Sequence, residues 1–186
     1  MTKFISHLRT VARHRFWVRH YCFMAGLYWQ GLTHDLSKYS PTEFFESARY
    51  YQGNRSPIDA CKEAKGYSMA WFNHRGRNRH HWEYWVDNFQ DGMTPVQMPY
   101  KYAAEMFCDY LGAGRAYMGK NFDVQKEVAW WERKRKTVVM HPQTKRFIDL
   151  CFDHLAHHVA LERLLPFLDL VYVDAVTEME DMDRVS

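Results

Sequence analysis

An imidazole and a carboxylate stand side by side at His34 and Asp35, and both groups bind divalent metal ions. Two neighbouring residues can bind one ion only if the backbone turns both side chains toward a common point. The last turn of a helix would do this, because neighbouring side chains there diverge by only about 100°. The other nitrogen and oxygen ligands in the chain that suit Zn, Mn, Fe or Mg are His14, His74, His80, His81 and Asp109. We therefore interpret His34 and Asp35 as the centre of a metal site.

Lys38 follows Asp35 by three residues, which is near enough to place an ammonium group beside a metal-bound anion such as phosphate. The alternative is a structural hydrogen bond between His34 and Asp35 at a helix end, with Lys38 interacting favourably with the helix dipole. The pair and its lysine alone leave both interpretations open.

A second group of histidines, His74, His80 and His81, stands in a polar stretch that is also rich in arginine. Such a stretch can bind metal and phosphate together, since imidazole is a metal ligand and guanidinium pairs with phosphate. Glu83 follows and is a candidate for orienting one of the histidines. The alternative is a basic loop on the surface. The candidate substrate-binding residues are Arg75, Arg77 and Arg79.

Glu105 and Asp109 lie four residues apart on one face of a predicted apolar helix. Burying a carboxylate is costly unless the group is paired or bound to metal, so these two residues need a partner. Metal ligation and an ion pair with Arg115 are the two interpretations.

The remaining histidines are interpreted as structural or exposed to solvent. His7 and His20 compete with His14 for the role of ligand on the first predicted helix, and we favour His14. Near the end of the chain, three histidines have the spacing of a surface metal site, but we favour an exposed helix face because they lie far from the other signals. These residues are His154, His157 and His158.

The composition of the 186-residue chain, 47% hydrophobic and 25% charged, is typical of one soluble globular domain. A net charge of +3 excludes a protein that coats a polyanion and gives no indication of nucleic-acid binding. No apolar run approaches the length of about 18 residues that a membrane span needs. Four scattered cysteines and no signal-peptide pattern predict free buried thiols and a cytoplasmic protein.

Apolar spacing and helix start signals predict an all-α, single-domain helical bundle. Ser40-Pro41 and Ser56-Pro57 are strong start signals, because Ser caps a helix and Pro favours its first position. Residues 1–165 are predicted to form the helical domain and residues 166–186 an acidic tail, as a strand, a helix or a docking segment. A loop is predicted at Asp91-Gly92. The predicted helices cover residues 4–22, 27–36, 41–51, 58–74, 101–117, 124–136 and 142–165.

The ordered set of His14, His34-Asp35 and Asp109 resembles the HD-domain superfamily of metal-dependent phosphohydrolases. In that family a His on the first helix, a His-Asp pair ending a later helix and an Asp on a further helix bind one metal ion. Members with two metal ions have extra histidines between the pair and the final Asp, where His74, His80 and His81 stand here. The segments that carry the resemblance are His14-Arg-Phe-Trp-Val18, His34-Asp-Leu-Ser-Lys38 and Met106-Phe-Cys-Asp109. The resemblance implies a helical bundle of HD-domain type.

The chain is also similar, over about residues 4–145, to an uncharacterised family of bacterial and phage proteins. The segments that carry this similarity are residues 27–44, which include the His-Asp pair, and Asn78-Arg-His-His-Trp-Glu-Tyr84. The similarity names no reaction, so the functional expectation depends on the HD-domain resemblance.

The resulting hypothesis is a metal-dependent hydrolase acting on a nucleotide or another small phosphorylated compound. One ion (Mn, Fe, Zn or Mg) would be held by His14, His34, Asp35 and Asp109. A second ion would be held by the later histidines, with Asp35 as a bridge. The metal would activate water, and the candidate catalytic residues are Lys38, Asp35 and Glu105.

Two alternatives use the same residues differently. The first is a di-iron oxygenase of HD-domain type with the same ligands. The second is a non-catalytic interaction protein with a vestigial metal site and an aromatic, weakly basic surface. The residues expected to form that surface are Trp82, Trp85, Trp130 and Trp131.

Overall fold

Helices make up most of the computed structural model, which describes residues 2–89 and 92–185, and the all-α prediction is confirmed. A small hairpin of strands β1 (Val86–Phe89) and β2 (Gly92–Pro95) and short 3₁₀ turns, one of them at Leu36–Tyr39, complete the described part. The helices are α1 (Lys3–Met24), α2 (Tyr28–Thr33), α3 (Pro41–Tyr50), α4 (Pro57–Lys65), α5 (Met69–Arg77), α6 (Tyr100–Met118), α7 (Val124–Lys134), α8 (Pro142–Ala156), α9 (Leu161–Leu164) and α10 (Leu168–Val185).

Proline at the first helical position starts α3, α4 and α8, as the sequence signals predicted. The predicted helix over residues 58–74 is wrong, because two helices occupy this stretch. Gly66 adopts a left-handed conformation with φ +81° and its N–H bonds to the carbonyl of Lys62, which ends α4. Ser68 then caps α5 by accepting a hydrogen bond from the N–H of Trp71.

The last predicted helix, residues 142–165, is also interrupted. His158 has φ +61°, which stops α8 shortly after Ala156, and the chain resumes in the single turn of α9. The hairpin of β1 and β2 was not predicted. It pairs Val86 with Pro95 and Asn88 with Met93, and Gly92 of the predicted loop begins β2, whereas Asp91 lies outside the described residues.

The core forms around α6, whose residues 103–109 are all buried. Helix α1 packs closely on α6 at Gly112, since a Cβ atom at this glycine would overlap Cγ2 of Val18. Phe107 of α6 and Phe152 of α8 pack edge to face in the core, with ring centroids 5.3 Å apart. The close contact between Gly112 of α6 and Val18 of α1 sets the distance between the polar residues one helical turn earlier on both helices.

The segment predicted as an acidic tail forms α10, which packs against α8. Leu168, Val171 and Ala175 of this helix are buried in the same hydrophobic cluster as α6 and α8. Asp169, Asp174, Glu178, Glu180 and Asp181 are exposed, so the alternation of apolar and acidic residues over this stretch reflects one helix with two faces. The boundary between residues 165 and 166 as the end of a domain stays a prediction.

The aromatic surface expected for an interaction protein is not formed by the four tryptophans. Trp131 is fully buried and donates its indole N–H to Asp149, while Trp82, Trp85 and Trp130 pack against the core. The four cysteines are free and buried, as predicted. In the part of the chain that the structure describes, no helix combines the length and the hydropathy that a membrane span requires.

Candidate metal centre

Four predicted ligands converge on one point, and we call His14, His34, Asp35 and Asp109 the first ligand group. His14 Nε2 lies 3.0 Å from Asp35 Oδ2 and 3.1 Å from Asp109 Oδ1. His34 Nε2 lies 3.4 Å from each of these oxygens and 3.3 Å from His14 Nε2. Ligand atoms about 2.1 Å from one ion stand roughly 3.0 Å apart in octahedral and roughly 3.4 Å apart in tetrahedral coordination. The observed separations therefore fit one divalent ion.

A second ligand group consists of Asp35, His74, His80 and His81, whose ligand atoms lie within 4.8 Å of one another. Asp35 Oδ1 lies 3.2 Å from His74 Nε2 and 3.4 Å from His80 Nε2. These three atoms and Nε2 of His81 are buried and make no hydrogen bond. Buried polar atoms without partners are costly, and four of them facing one another form a group that could hold a metal ion.

Asp35 belongs to both groups, and it presents a different oxygen to each. Its Oδ2 faces His14 and His34, whereas its Oδ1 faces His74 and His80. A carboxylate in this position can bridge two ions that share one site.

Two outer carboxylates fix the orientation of the histidine rings. Glu105 Oε1 accepts hydrogen bonds from Nδ1 of His34 and Nδ1 of His80, at 2.9 and 3.0 Å. Glu43 Oε2 accepts from Nδ1 of His74 at 2.7 Å. When Nδ1 carries the proton, the lone pair of Nε2 points into the ligand group. Glu105, His34 and His80 also lie close enough to form a third group of potential metal ligands. We interpret the short contacts between Glu105 and the two Nδ1 atoms as hydrogen bonds.

Glu43 was not predicted as part of the site. Its place in the first turn of α3 gave it a sufficient explanation as a helix-start acid. Glu105, predicted to be catalytic, lies behind His34 and His80 rather than beside the open side of the site. Both carboxylates therefore contact the histidines of the two groups.

The backbone at the His-Asp pair differs from the predicted last turn of a helix. Helix α2 ends at Thr33, His34 is extended (φ −47°, ψ 127°), and Asp35 is left-handed (φ 54°, ψ 25°). This change of direction turns both side chains to the same point. Arg15 holds the turn by donating from Nε to the carbonyl of His34 at 2.8 Å and from a terminal nitrogen to that of Leu32 at 3.1 Å. Unusual backbone of this kind is common at functional sites.

The site contains more negative than positive charge. Its buried carboxylates are Asp35, Glu43, Glu105 and Asp109. The ammonium group of Lys38 pairs with one of them, with Nζ 2.8 Å from Asp35 Oδ2. With neutral histidines, four carboxylates and one ammonium group give a formal charge of −3. Buried charge of this size requires compensation, which one or two divalent ions would supply.

The pKa shifts of Asp35 and His34 follow from the opposite charges that face each other in the site. Burial opposes ionisation of Asp35, but the nearby His34 and Lys38 hold the pKa of its carboxyl group well below the usual range. Burial likewise disfavours a charged His34, but Asp35 and Asp109 raise the pKa of its imidazole well above the usual value. Opposite charges that are buried close together stabilise one another in this way.

A cavity of about 190 Å³ opens beside both ligand groups. Its polar floor is formed by His14, Lys38, His74, His81 and Asp109. Lys38 and four ligands of the two groups therefore face the space that a small molecule can enter.

The predicted substrate-binding arginines lie outside this cavity. Arg77 and Arg79 line a separate depression with Trp29 and Lys101, on the other side of His34 and Glu105. Arg75 packs over the ring of Phe72. The structure therefore does not bring these arginines to the cavity floor.

Other predicted partners of the site also lie elsewhere. Arg115 stacks over the rings of Trp17 and Phe122 and does not pair with Glu105 or Asp109. Glu83 makes no hydrogen bond or ion pair with a histidine among the described residues, and one of its carboxylate oxygens is buried without a partner.

The remaining histidines stay outside both ligand groups. His7 packs on Phe44 and Tyr51 at the cavity wall, and His20 is exposed. The three histidines near the end of the chain are exposed, as interpreted from the sequence. They are His154, His157 and His158.

A model of the family described as "Family of unknown function (DUF5662)" matches residues 3–154. The chain belongs to this family. The DUF5662 match contains every residue of both ligand groups, both outer carboxylates and Lys38. It ends before α9 and α10. Comparisons with curated proteins and with solved structures gave no match.

Proposed function

We propose that this protein is a metal-dependent hydrolase of small phosphoesters or nucleotides, with up to two divalent ions bridged by Asp35. The observation that carries the proposal is the division of the Asp35 carboxylate between two ligand groups, Oδ2 toward one and Oδ1 toward the other. The order of the ligands along the chain also supports a relationship to HD-domain proteins.

The ligand chemistry favours transition metals. Five imidazoles with two aspartates suit Mn, Fe or Zn better than Mg, which prefers oxygen ligands. The carboxylates of Glu43 and Glu105 keep the histidines in the tautomer that a metal requires.

The proposed reaction is hydrolysis of a phosphoester. Bound divalent ions would supply Lewis acidity and lower the pKa of water in the site. The water oxygen forms a bond to phosphorus, the bond from phosphorus to the alcohol oxygen breaks, and one proton of the water ends on the released alcohol. Lys38 stabilises the negative charge on the phosphoryl oxygens, since its ammonium group faces the cavity beside Asp35. Despite burial, Asp35 and, after it, Asp109 raise the pKa of Lys38 and so keep its ammonium group charged.

The proposal includes a cytoplasmic location, which four buried free thiols support. A small phosphorylated compound is the proposed substrate. Among the described residues no cluster of arginines faces the cavity, so a nucleic-acid substrate has no support.

Elemental analysis of the purified protein tests the proposal. We expect one to two equivalents of Mn, Fe or Zn per chain, loss of metal in the His34→Ala, Asp35→Ala double variant, and retention in the exposed control His157→Ala. Hydrolysis of phosphoesters should follow metal content. A wild-type protein that stays metal-free after addition of Mn, Fe and Zn would contradict the proposal. A coloured, iron-loaded protein that consumes oxygen with a substrate would instead favour the di-iron oxygenase.

A further inference from the structure

The cavity beside the ligand groups has a polar floor and largely apolar walls. The walls include Val11 of α1, Pro57 and Ile58 of α4, Trp71 of α5 and Tyr117 of α6. Trp71 is fixed by edge-to-face packing on His81, with ring centroids 5.0 Å apart. An aromatic side chain held in this way offers a surface for another ring or for an alkyl group.

The cavity carries little positive charge. Lys38 is the one lysine or arginine among the described residues that line it. His7 also lines the wall, but burial and the nearby Lys38 lower its pKa to about 4, so it is neutral at neutral pH. Sites that hold nucleoside triphosphates surround the phosphate chain with several cations or backbone amides, and these walls provide no such set.

The size of the cavity sets a second limit. A cavity of about 150 Å³ holds one benzene molecule. The cavity here, of about 190 Å³, therefore has room for one ring and little more beside its polar floor. A nucleoside, with a base and a sugar, would extend beyond this space into solvent.

From charge and size together, we infer that the substrate is a phosphate monoester of a small, uncharged alcohol or phenol with an apolar body of about one ring. Its phosphate lies on the floor beside Lys38, and its apolar body lies against Trp71 and Ile58. Nucleoside di- and triphosphates are not substrates. The inference rests on the proposed function and selects among the small phosphorylated compounds that the proposed function includes.

Binding and kinetics together test this inference. Calorimetry on the Mn-loaded protein would compare phenylphosphonate, which cannot be hydrolysed, with methylphosphonate and ATP. We expect phenylphosphonate to bind at least about tenfold more tightly than methylphosphonate, because the ring is buried against apolar walls, and ATP to bind no more tightly than methylphosphonate. In kinetics, kcat/KM for phenyl phosphate should exceed that for 5′-AMP and for ATP by at least about tenfold.

A substitution that enlarges the cavity at its wall provides a second test. Ile58→Ala should weaken binding of phenylphosphonate several-fold and strengthen binding of the larger 1-naphthylphosphonate. The matched control Ile5→Ala, on an exposed part of α1, should change neither affinity. A thermal unfolding curve for each variant checks that it is folded, and the comparison of ligands in wild-type protein stands without the variants.

The outcomes separate the inference from the proposed function. Metal-dependent hydrolysis of 5′-AMP or ATP in preference to phenyl phosphate would contradict the inferred substrate class but would agree with the proposed hydrolase function. Equal affinity for phenylphosphonate and methylphosphonate would also overturn the substrate class. Tight binding of phenylphosphonate without hydrolysis of any phosphoester would support the ligand class and overturn the hydrolase.

Discussion

Glu43 Oε2 lies 2.7 Å from Nδ1 of His74, and both side chains are almost completely buried. Ser37 adds a hydrogen bond to the same carboxylate oxygen at 3.0 Å. This carboxylate therefore determines which nitrogen of His74 faces the second ligand group. Among the described residues, Glu43 makes no hydrogen bond or ion pair with another member of that group.

Glu43→Gln should weaken metal binding at the second ligand group alone. The amide removes the negative charge that holds the proton on Nδ1 of His74, and loss of such an outer carboxylate costs about 10- to 100-fold in metal affinity. Metal titration followed by elemental analysis would show one equivalent of metal bound as in the wild type and one equivalent bound more weakly. Glu63→Gln, at an exposed residue of α4, is the control. Equal weakening of both equivalents would contradict the assignment of Glu43 to the second group.

Asp35→Asn should remove both equivalents of metal without unfolding the protein. Asparagine tolerates the left-handed backbone of this position as well as aspartate does, so the turn is preserved while the bridging charge is lost. Circular dichroism and elemental analysis on the same sample measure both effects. Asp35→Ala should lose metal and also stability, because alanine is strained in this conformation. An Asp35→Asn protein that keeps two equivalents would refute the bridge.

Lys38→Met should reduce kcat/KM for a phosphoester by about 100-fold, the cost of removing one group that stabilises transition-state charge. Metal content should stay unchanged, since Lys38 is not a ligand. The control Lys120→Met lies at an exposed position far along the chain. Loss of metal together with activity in Lys38→Met would instead assign the lysine a structural role.

Glu127→Gln should increase stability at alkaline pH. Burial against α6, where its carboxylate meets Gly114, raises the pKa of Glu127 from the ordinary 4.5 to about 7. Because the folded-state pKa lies above the unfolded one, the folded protein binds more protons between these values, and stability falls as the pH rises from 4.5 through about 7.

The free energy of unfolding in urea, measured at pH of about 5 and about 8, checks this expectation. Wild-type protein should lose stability between the two pH values, and Glu127→Gln should lose less. Glu132→Gln on the same helix, at an exposed position, should behave as the wild type. An unchanged pH dependence in Glu127→Gln would show that its carboxyl group titrates normally.

The ligand residues could be found from the sequence because their types are chemically specific. His14, His34-Asp35 and Asp109 were selected by residue type and order, and the structure brings their side-chain N and O atoms within 4.8 Å of one another. Glu43 could not be found in this way, since an acid at a helix start has a sufficient local explanation. Which carboxylate meets which imidazole depends on how α3 packs against α5, and no local pattern encodes that contact.

The sequence predictions were wrong for the arginines and for the helix breaks. Proximity in sequence to His74 and His80 suggested Arg77 and Arg79 as phosphate clamps, but neighbouring residues leave a helix or turn in different directions, and these two point into another depression. The helix break at Gly66 was missed because the apolar spacing continues across it. A left-handed glycine ends a helix through backbone geometry, which periodicity of side chains does not record.

Gly112 has a consequence for the choice of metal. It lies three residues after Asp109 on α6, and the residue that touches it, Val18, lies four residues after His14 on α1. One helical turn therefore separates the point where two backbones touch from the two ligands that those helices carry. The absence of a side chain at Gly112 therefore sets the distance between His14 and Asp109. That distance in turn sets the ionic radius that the proposed site accepts.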